Sequence, residues 1–152
     1  MTLNDILTED RVASGLSVAS KKKALEELAE LLAKGAPDLT SSEVFSSLIN
    51  REKLGSTGLG HGVAIPHGRL AGVQNSVGAC IRLQHPVDYD AHDGQPVDLL
   101  FGLLVPQAAT EVHLKHLAAI AERFSDEANC AAMRKANSAS EVHQLLTKDS
   151  SD

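Results

Sequence analysis

Apolar residues recur along the chain with two different periods. Leu25, Leu28, Ala29 and Leu32 fall on one face at helical spacing, after Ser20, which suits an N-cap, and before Gly35 and Pro37, which suit a stop. Thr40-Ser41-Ser42-Glu43 has the form of a capping box and opens a second helix through Val44, Phe45, Leu48 and Ile49, running into Arg51-Glu52-Lys53. The period then changes. Val63 to Ile65 reads as a short strand, and Val77, Ala79, Ile81 and Leu83 alternate with more polar neighbours as a half-buried strand does. Val87 to His92 suggests another extended piece, closed by the turn signal Asp93-Gly94. Val97 to Val105 is nearly continuous apolar sequence ended by Pro106, the pattern of a central strand covered on both faces. Asp98 is out of character there, so it sits at the strand's start or pairs with a partner.

Helical spacing returns downstream. Thr110 is placed to cap a helix over roughly 111–124, Ser125 to start another through Cys130 and Met133, and Ser138 to Glu141 to form a second capping box ahead of Val142, Leu145 and Leu146. At about 100° per residue, Leu114, Leu117, Ala118 and Ala121 form the apolar face of the 111–124 segment. His113 lies at the edge of that face, and His116 falls near Arg123 on the polar side. Met1 to Val18 is poorly patterned, with a helical turn near Asp5 to Leu7 and an extended piece near Leu16 to Val18. Asp149 to Asp152 reads as a frayed polar tail. Helices, a run of strands, then more helices predict an α/β or α+β fold in a single layered domain.

Composition narrows the class. The chain has 152 residues, enough for one well-buried core. With 43% hydrophobic and 3% aromatic residues and no Trp, that core is built from Leu, Val, Ile and Ala. The net charge of −6 argues against nucleic acid, whose phosphates need a basic face. No apolar run approaches the ~20 residues of a membrane span, so membrane insertion is not expected, and a cytoplasmic setting is. Cys80 and Cys130 form no framework and read as small apolar side chains.

The candidate chemistry lies in one stretch, Arg51 to Leu70, reading R-E-K-L-G-S-T-G-L-G-H-G-V-A-I-P-H-G-R-L. Five of the chain's 11 glycines fall here, at Gly55, Gly58, Gly60, Gly62 and Gly68. Such a loop can turn amide N–H groups inward as an anion-binding concavity. It is neither a P-loop nor a dinucleotide fingerprint. Pro66 fixes its own φ and pushes Ile65 towards an extended conformation, so His67 sits at a stiff place among permissive ones. An imidazole beside backbone donors suits accepting a phosphoryl group and passing it on, because histidine is substantially neutral near pH 7 and nucleophilic. One ring nitrogen must face a partner while a hydrogen bond on the other fixes the tautomer. No nucleotide or other cofactor is required if the donor is itself a phosphohistidine. Arg51 reads either as a cation at a helix C-terminus or as a guanidinium for a phosphoryl oxygen. A rival reading gathers His61, His67, His113 and His116 as metal ligands, but no cysteine pair or His-Glu motif supports it, and no metal is expected. A binding domain without chemistry is the other rival.

The Arg51–Leu70 stretch resembles the active-site signature of type-2 enzyme IIA domains of the bacterial phosphoenolpyruvate phosphotransferase system, in their fructose, mannitol and nitrogen-regulatory kinds. The segments G-Q-P-V-D-L-L-F-G-L-L-V-P and V-H-L-K-H-L-A-A-I-A-E-R-F carry the same resemblance, which runs from about Asn4 to about Leu146 and is greatest to the nitrogen-regulatory kind. It implies one domain over residues 1–152, ordered over 3–148, with an α/β fold: a mixed, mostly parallel sheet flanked by helices on both faces. It implies that His67 carries the phosphoryl group, that His113 is the auxiliary histidine and that Arg51 stabilises the phosphoryl group. Thr57, Gly58, Gly60, Gly62 and Gly68 are then expected in the phosphoryl-binding loop, and His61 has no such role. The implied donor is a histidine phosphocarrier, HPr or its nitrogen-branch counterpart NPr. The implied output is control of target proteins, potassium transport systems among them, by phosphorylation state. The alternative is a sugar-specific component that hands the group to a IIB domain.

Overall fold

The structure is a computed structural model and describes residues 3–108 and 111–147, with side chains described for all of these but 111–114. The expected cap at Thr110 and the polar tail at 149–152 lie outside the described residues.

Two short 3-10 turns, Leu3–Asp5 and Glu9–Arg11, precede β1 (Val12–Leu16). Helices α1 (Lys21–Lys34) and α2 (Ser41–Glu52) follow. Ser20 caps α1 by accepting from Lys23 N, and Thr40 and Glu43 close the reciprocal capping box of α2; a cap of this kind contributes ~1 kcal/mol. Three short strands come next, β2 (Gly58–Gly60), β3 (Val63–Ala64) and β4 (His67–Leu70), then the long β5 (Val77–Val87) and β6 (Val97–Pro106). Helices α3 (Glu111–Ser125), α4 (Glu127–Lys135) and α5 (Ala139–Thr147) complete the order.

Among the described residues the strands form one six-stranded sheet in the order β1-β5-β6-β3-β2, with β4 also on β6. The β1–β5, β3–β6 and β4–β6 pairings are parallel, and β5–β6 and β2–β3 are antiparallel. The sheet is therefore mixed, as expected. Both faces are covered. Leu100 and Leu104 of β6 join α1 and α2 in one apolar cluster, while Leu99, Phe101, Leu103 and Val105 join α3, α4 and α5 in the other. Burial on alternate faces by alternate residues is why this strand is apolar almost throughout.

The site depends on one further feature of β6. β3 and β4 are successive stretches of one interrupted strand beside it, pairing Val63 with Leu99 and His67 with Leu103. The interruption is Ile65-Pro66. Pro66 has no N–H to give a ladder, but its carbonyl accepts from Leu103 N at 3.0 Å, so the strand resumes in register at His67.

Candidate active site

His67 opens β4 and is half-buried. Its ring spans two fixed groups. Nδ1 lies 2.9 Å from the carbonyl oxygen of Ile65, and Arg51 Nε donates to Nε2 at 3.3 Å. A carbonyl can only accept, so Nδ1 carries the proton and Nε2 carries the lone pair. The acceptor that fixes the tautomer is thus the backbone of the residue that Pro66 forces into an extended conformation. Arg51 comes from the last turn of α2, where Nη1 donates to Gly55 O at 3.0 Å, holding the guanidinium across the ring.

The ring borders open space. A cavity of about 570 Å³ lies between α2 and β4, and a second of about 350 Å³ lies beside β2; His67, Arg51 and Leu117 line both. Leu54 is 83% exposed and Leu59 50% exposed. Leu54 borders the first cavity and Leu59 the second.

The structure separates the glycines of the Arg51–Leu70 stretch by task. Thr57 and Gly58 line the smaller cavity beside His67. Gly60 (φ 95°) and Gly62 (φ 82°) instead flank His61 (φ 56°) in the turn joining β2 to β3. Consecutive left-handed residues favour glycine there, and the turn is held by Asp93, which accepts from His61 N at 2.9 Å, and by Arg134, which donates to His61 O at 2.7 Å. Gly68 serves packing, since a Cβ on it would stand 2.2 Å from Ser47 Oγ of α2. Thr57 is buried, and its hydroxyl donates to Glu52, so it is committed within the protein.

Three sequence expectations are corrected. His116 was expected on the polar side of its helix; it is buried, with Nδ1 3.0 Å from Ser76 Oγ, because the loop before β5 covers that face. Ser125 ends α3 rather than starting α4, and Asp126 is the cap, accepting from Ala128 N and Asn129 N. The extended piece expected at Val87 to His92 contributes only Val87, the last residue of β5. Asp98, left open by the sequence, pairs with Arg134, with Arg134 Nη2 at 3.0 Å from Oδ1. The side chain of His113 lies outside the described residues. Among the described residues, no group of three or more His, Cys, Asp or Glu side chains is assembled to hold a metal ion, and no helix is long and apolar enough to cross a membrane.

Glu52 is a site neighbour that the local pattern does not mark. It follows Arg51 in a charged run that reads as an exposed helix end, yet it is 9% exposed and paired with Lys21 Nζ at 3.1 Å. Its ionic partner lies in another helix, and its other partner, Thr57, in a loop whose conformation the sequence does not show.

Residues 5–149 match the family model described as "Phosphoenolpyruvate-dependent sugar phosphotransferase system, EIIA 2". The chain belongs to this family. Among its relatives is a protein named "Nitrogen regulatory protein" from Pseudomonas aeruginosa, 46% identical over 144 residues, covering 95% of this chain and 94% of that one. A protein of the same name from Escherichia coli is 43% identical over 148 residues, covering 97% and 90%. The crystal structure of "Nitrogen Regulatory Protein IIA-Ntr" from Neisseria meningitidis superposes with a TM-score of 0.90 at 46% identity, covering 95% of this chain and 99% of that one. The chain is therefore a phosphotransferase-system IIA component, with the fold of the Neisseria protein.

Proposed function

We propose that this IIA domain is a nitrogen-regulatory phosphocarrier, taking a phosphoryl group onto Nε2 of His67 from a histidine phosphocarrier of the HPr or NPr type. The observation that carries the reading is how the ring is held: Nδ1 is committed to Ile65 O at 2.9 Å, so Nε2, which accepts from Arg51, is the nitrogen left for the phosphoryl group, in a side chain that lines the cavity. In the transfer, Nε2 forms the new N–P bond while the bond from phosphorus to the carrier's imidazole nitrogen breaks, and that nitrogen keeps the electron pair. No proton has to leave His67. The positive charge that develops on its ring is shared with Nδ1–H, whose hydrogen bond to Ile65 O strengthens. Arg51 gives up its 3.3 Å contact with Nε2 and turns the same N–H towards a phosphoryl oxygen. Such chemistry needs positioning and charge neutralisation more than covalent steps.

His113 is proposed as the auxiliary histidine. It lies one turn before Leu117 on α3, and Leu117 lines both cavities beside His67. A nitrogen-related regulatory output is supported by the names of the relatives; potassium-related targets in the cytoplasm rest on the resemblance of the signature to the nitrogen-regulatory kind.

The test is incubation with the labelled, phosphorylated carrier. Wild-type protein is expected to gain an acid-labile phosphoryl group, His67→Ala none, and His113→Ala to accept it slowly with its fold intact. Labelling of His67→Ala would overturn the site.

A further inference from the structure

Beneath the reactive ring lies a buried polar cluster for which the phosphoryl-transfer step has no direct use. Glu52 accepts from Thr57 N at 3.1 Å through Oε1 and from the Thr57 hydroxyl through Oε2. Lys21 Nζ lies 3.1 Å from the same Oε1, 4.2 Å from the ring centroid of Tyr89, and donates to Tyr89 O at 3.2 Å. The Tyr89 hydroxyl is 3.2 Å from Thr57 Oγ1. Since Thr57 gives its one hydroxyl proton to the carboxylate, Tyr89 is the donor in that last contact. Burial, with Glu52's charge beside it, pushes the Tyr89 phenol far up, so it remains protonated for that role. A buried carboxylate is held only when paired and hydrogen-bonded, and Lys21 and Thr57 do both for this one.

Thr57 in turn reaches the site. Its carbonyl accepts from Ile65 N at 3.1 Å, and Ile65 O accepts from His67 Nδ1 at 2.9 Å. The Ile65–Pro66 amide has no N–H of its own, so nothing at that bond orients its carbonyl. It is clamped from both sides instead, by Thr57 O on Ile65 N and by Leu103 N on Pro66 O at 3.0 Å. The Leu103 side belongs to the sheet. The Thr57 side extends the β2–β3 pairing by one step, at the end of the loop after α2 where Glu52 holds Thr57.

We propose that Glu52 and Thr57 are positioning residues for His67: with Lys21 and Tyr89 they fix the Ile65 carbonyl, which holds the ring as the Nδ1–H tautomer and keeps the Nε2 lone pair at the cavity. The proposal rests on His67 being the phosphoryl acceptor. Neither residue touches the transferred group. Each acts through the backbone of Ile65.

The experiment compares wild type with Thr57→Val, which keeps shape and removes the hydroxyl, and Thr57→Ser, which restores it. Long-range 1H–15N spectra of the unphosphorylated, 15N-labelled proteins read the tautomer of His67 directly, and labelled carrier reads the rate of transfer. Wild type and Thr57→Ser are expected to show the Nδ1–H form, and Thr57→Val a mixture with the Nε2–H form and transfer slowed by about tenfold to a hundredfold. If Thr57→Val does not fold, Tyr89→Phe and Glu52→Gln disturb the same cluster and are expected to shift the tautomer in the same direction. An unchanged His67 tautomer in the folded variants overturns the proposal, even if their rate or melting temperature falls. Absence of phosphoryl transfer to wild-type His67 would instead defeat the acceptor reading, and the spectra on unphosphorylated protein would still report on the positioning.

Discussion

Arg51 Nε lies 3.3 Å from Nε2 of His67, the nitrogen left without a proton once Nδ1 is bound to Ile65 O. On the proposed reading, the guanidinium occupies the position an incoming phosphoryl group must take. A planar fork with several N–H donors can release the ring and keep contact with phosphoryl oxygens, and the ammonium of lysine cannot reproduce that geometry. Arg51→Lys is expected to slow phosphoryl acceptance by about 10²-fold, the usual cost of one preorganised donor to a developing charge. Arg51→Gln is expected to do no better. Rapid-quench measurement with labelled carrier checks both, and circular dichroism should show the wild-type fold. A rate for Arg51→Lys equal to wild type would remove Arg51 from the chemistry and return it to a helix-terminal cation.

Gly68 sets where β4, and so His67, lies against α2. A Cβ there would stand 2.2 Å from Ser47 Oγ and 3.1 Å from Ser47 Cβ. Gly68→Ala should therefore push strand and helix apart, with the 1–3 kcal/mol cost that is about usual for overpacking, and should slow acceptance by moving the ring relative to Arg51. Ser47→Gly in the same chain removes both clashing atoms. It is expected to return most of the activity, although glycine in a helix costs about 1 kcal/mol of its own. Chemical denaturation and the transfer assay, run on the single and double variants, measure the two effects separately.

The sequence showed the long elements and, of the short ones, only β3. α1 and α2 were legible through Ser20 and the Thr40–Glu43 box, because a cap is a local device whose partners lie within one turn. β6 was legible because both its faces are buried. β3 was legible as the short strand at Val63 to Ile65, but β2 and β4 were not, since they are three and four residues long and lie among glycines, of which Gly60 and Gly62 have the positive φ of a turn. β1 was poorly marked because Val12-Ala13-Ser14-Gly15-Leu16 lacks alternation; its pairing with β5 holds it in place. In the site, Ile65-Pro66-His67 announced a stiff histidine, and the structure supplied the acceptor. The helical wheel failed for His116 because a wheel separates faces without knowing what covers them. Here Ser76 arrives from 40 positions away.

The two cysteines should be inert in the folded protein. Burial pushes the Cys80 thiol up to about 12, and Cys130 is raised in the same direction, again chiefly by burial. The thiolate is the reactive species, so Cys80 remains a thiol throughout the physiological range. Cys130 also donates to Phe124 O at 3.2 Å. A disulfide-exchange reagent at pH 8 is expected to modify neither residue under native conditions and both after denaturation. Rapid labelling of the native chain, located by mass spectrometry, would show that one of the two helix layers opens.

Asp93 makes the stability of the β2–β3 turn depend on pH. Its carboxylate is held below the ordinary value of 3.8, first by accepting from His61 N at 2.9 Å and next from Gln95 N at 3.1 Å. The folded state thus binds the Asp93 proton less readily than the unfolded chain does. The stabilisation is fully present above the unfolded value of 3.8 and is lost as pH falls through the lower folded value. Asp93→Asn keeps the size of the side chain but cannot carry the charge. Its melting temperature is expected below that of wild type at pH 7, with the gap closing as both proteins are taken below pH 3.8. Because His61 stands in the turn and not at the His67 cavities, phosphoryl acceptance at pH 7 should change little in this variant. A gap in melting temperature that stays constant from pH 7 down to acid would mean that the difference does not arise from the carboxylate's charge, and that the charge contributes nothing to holding the turn.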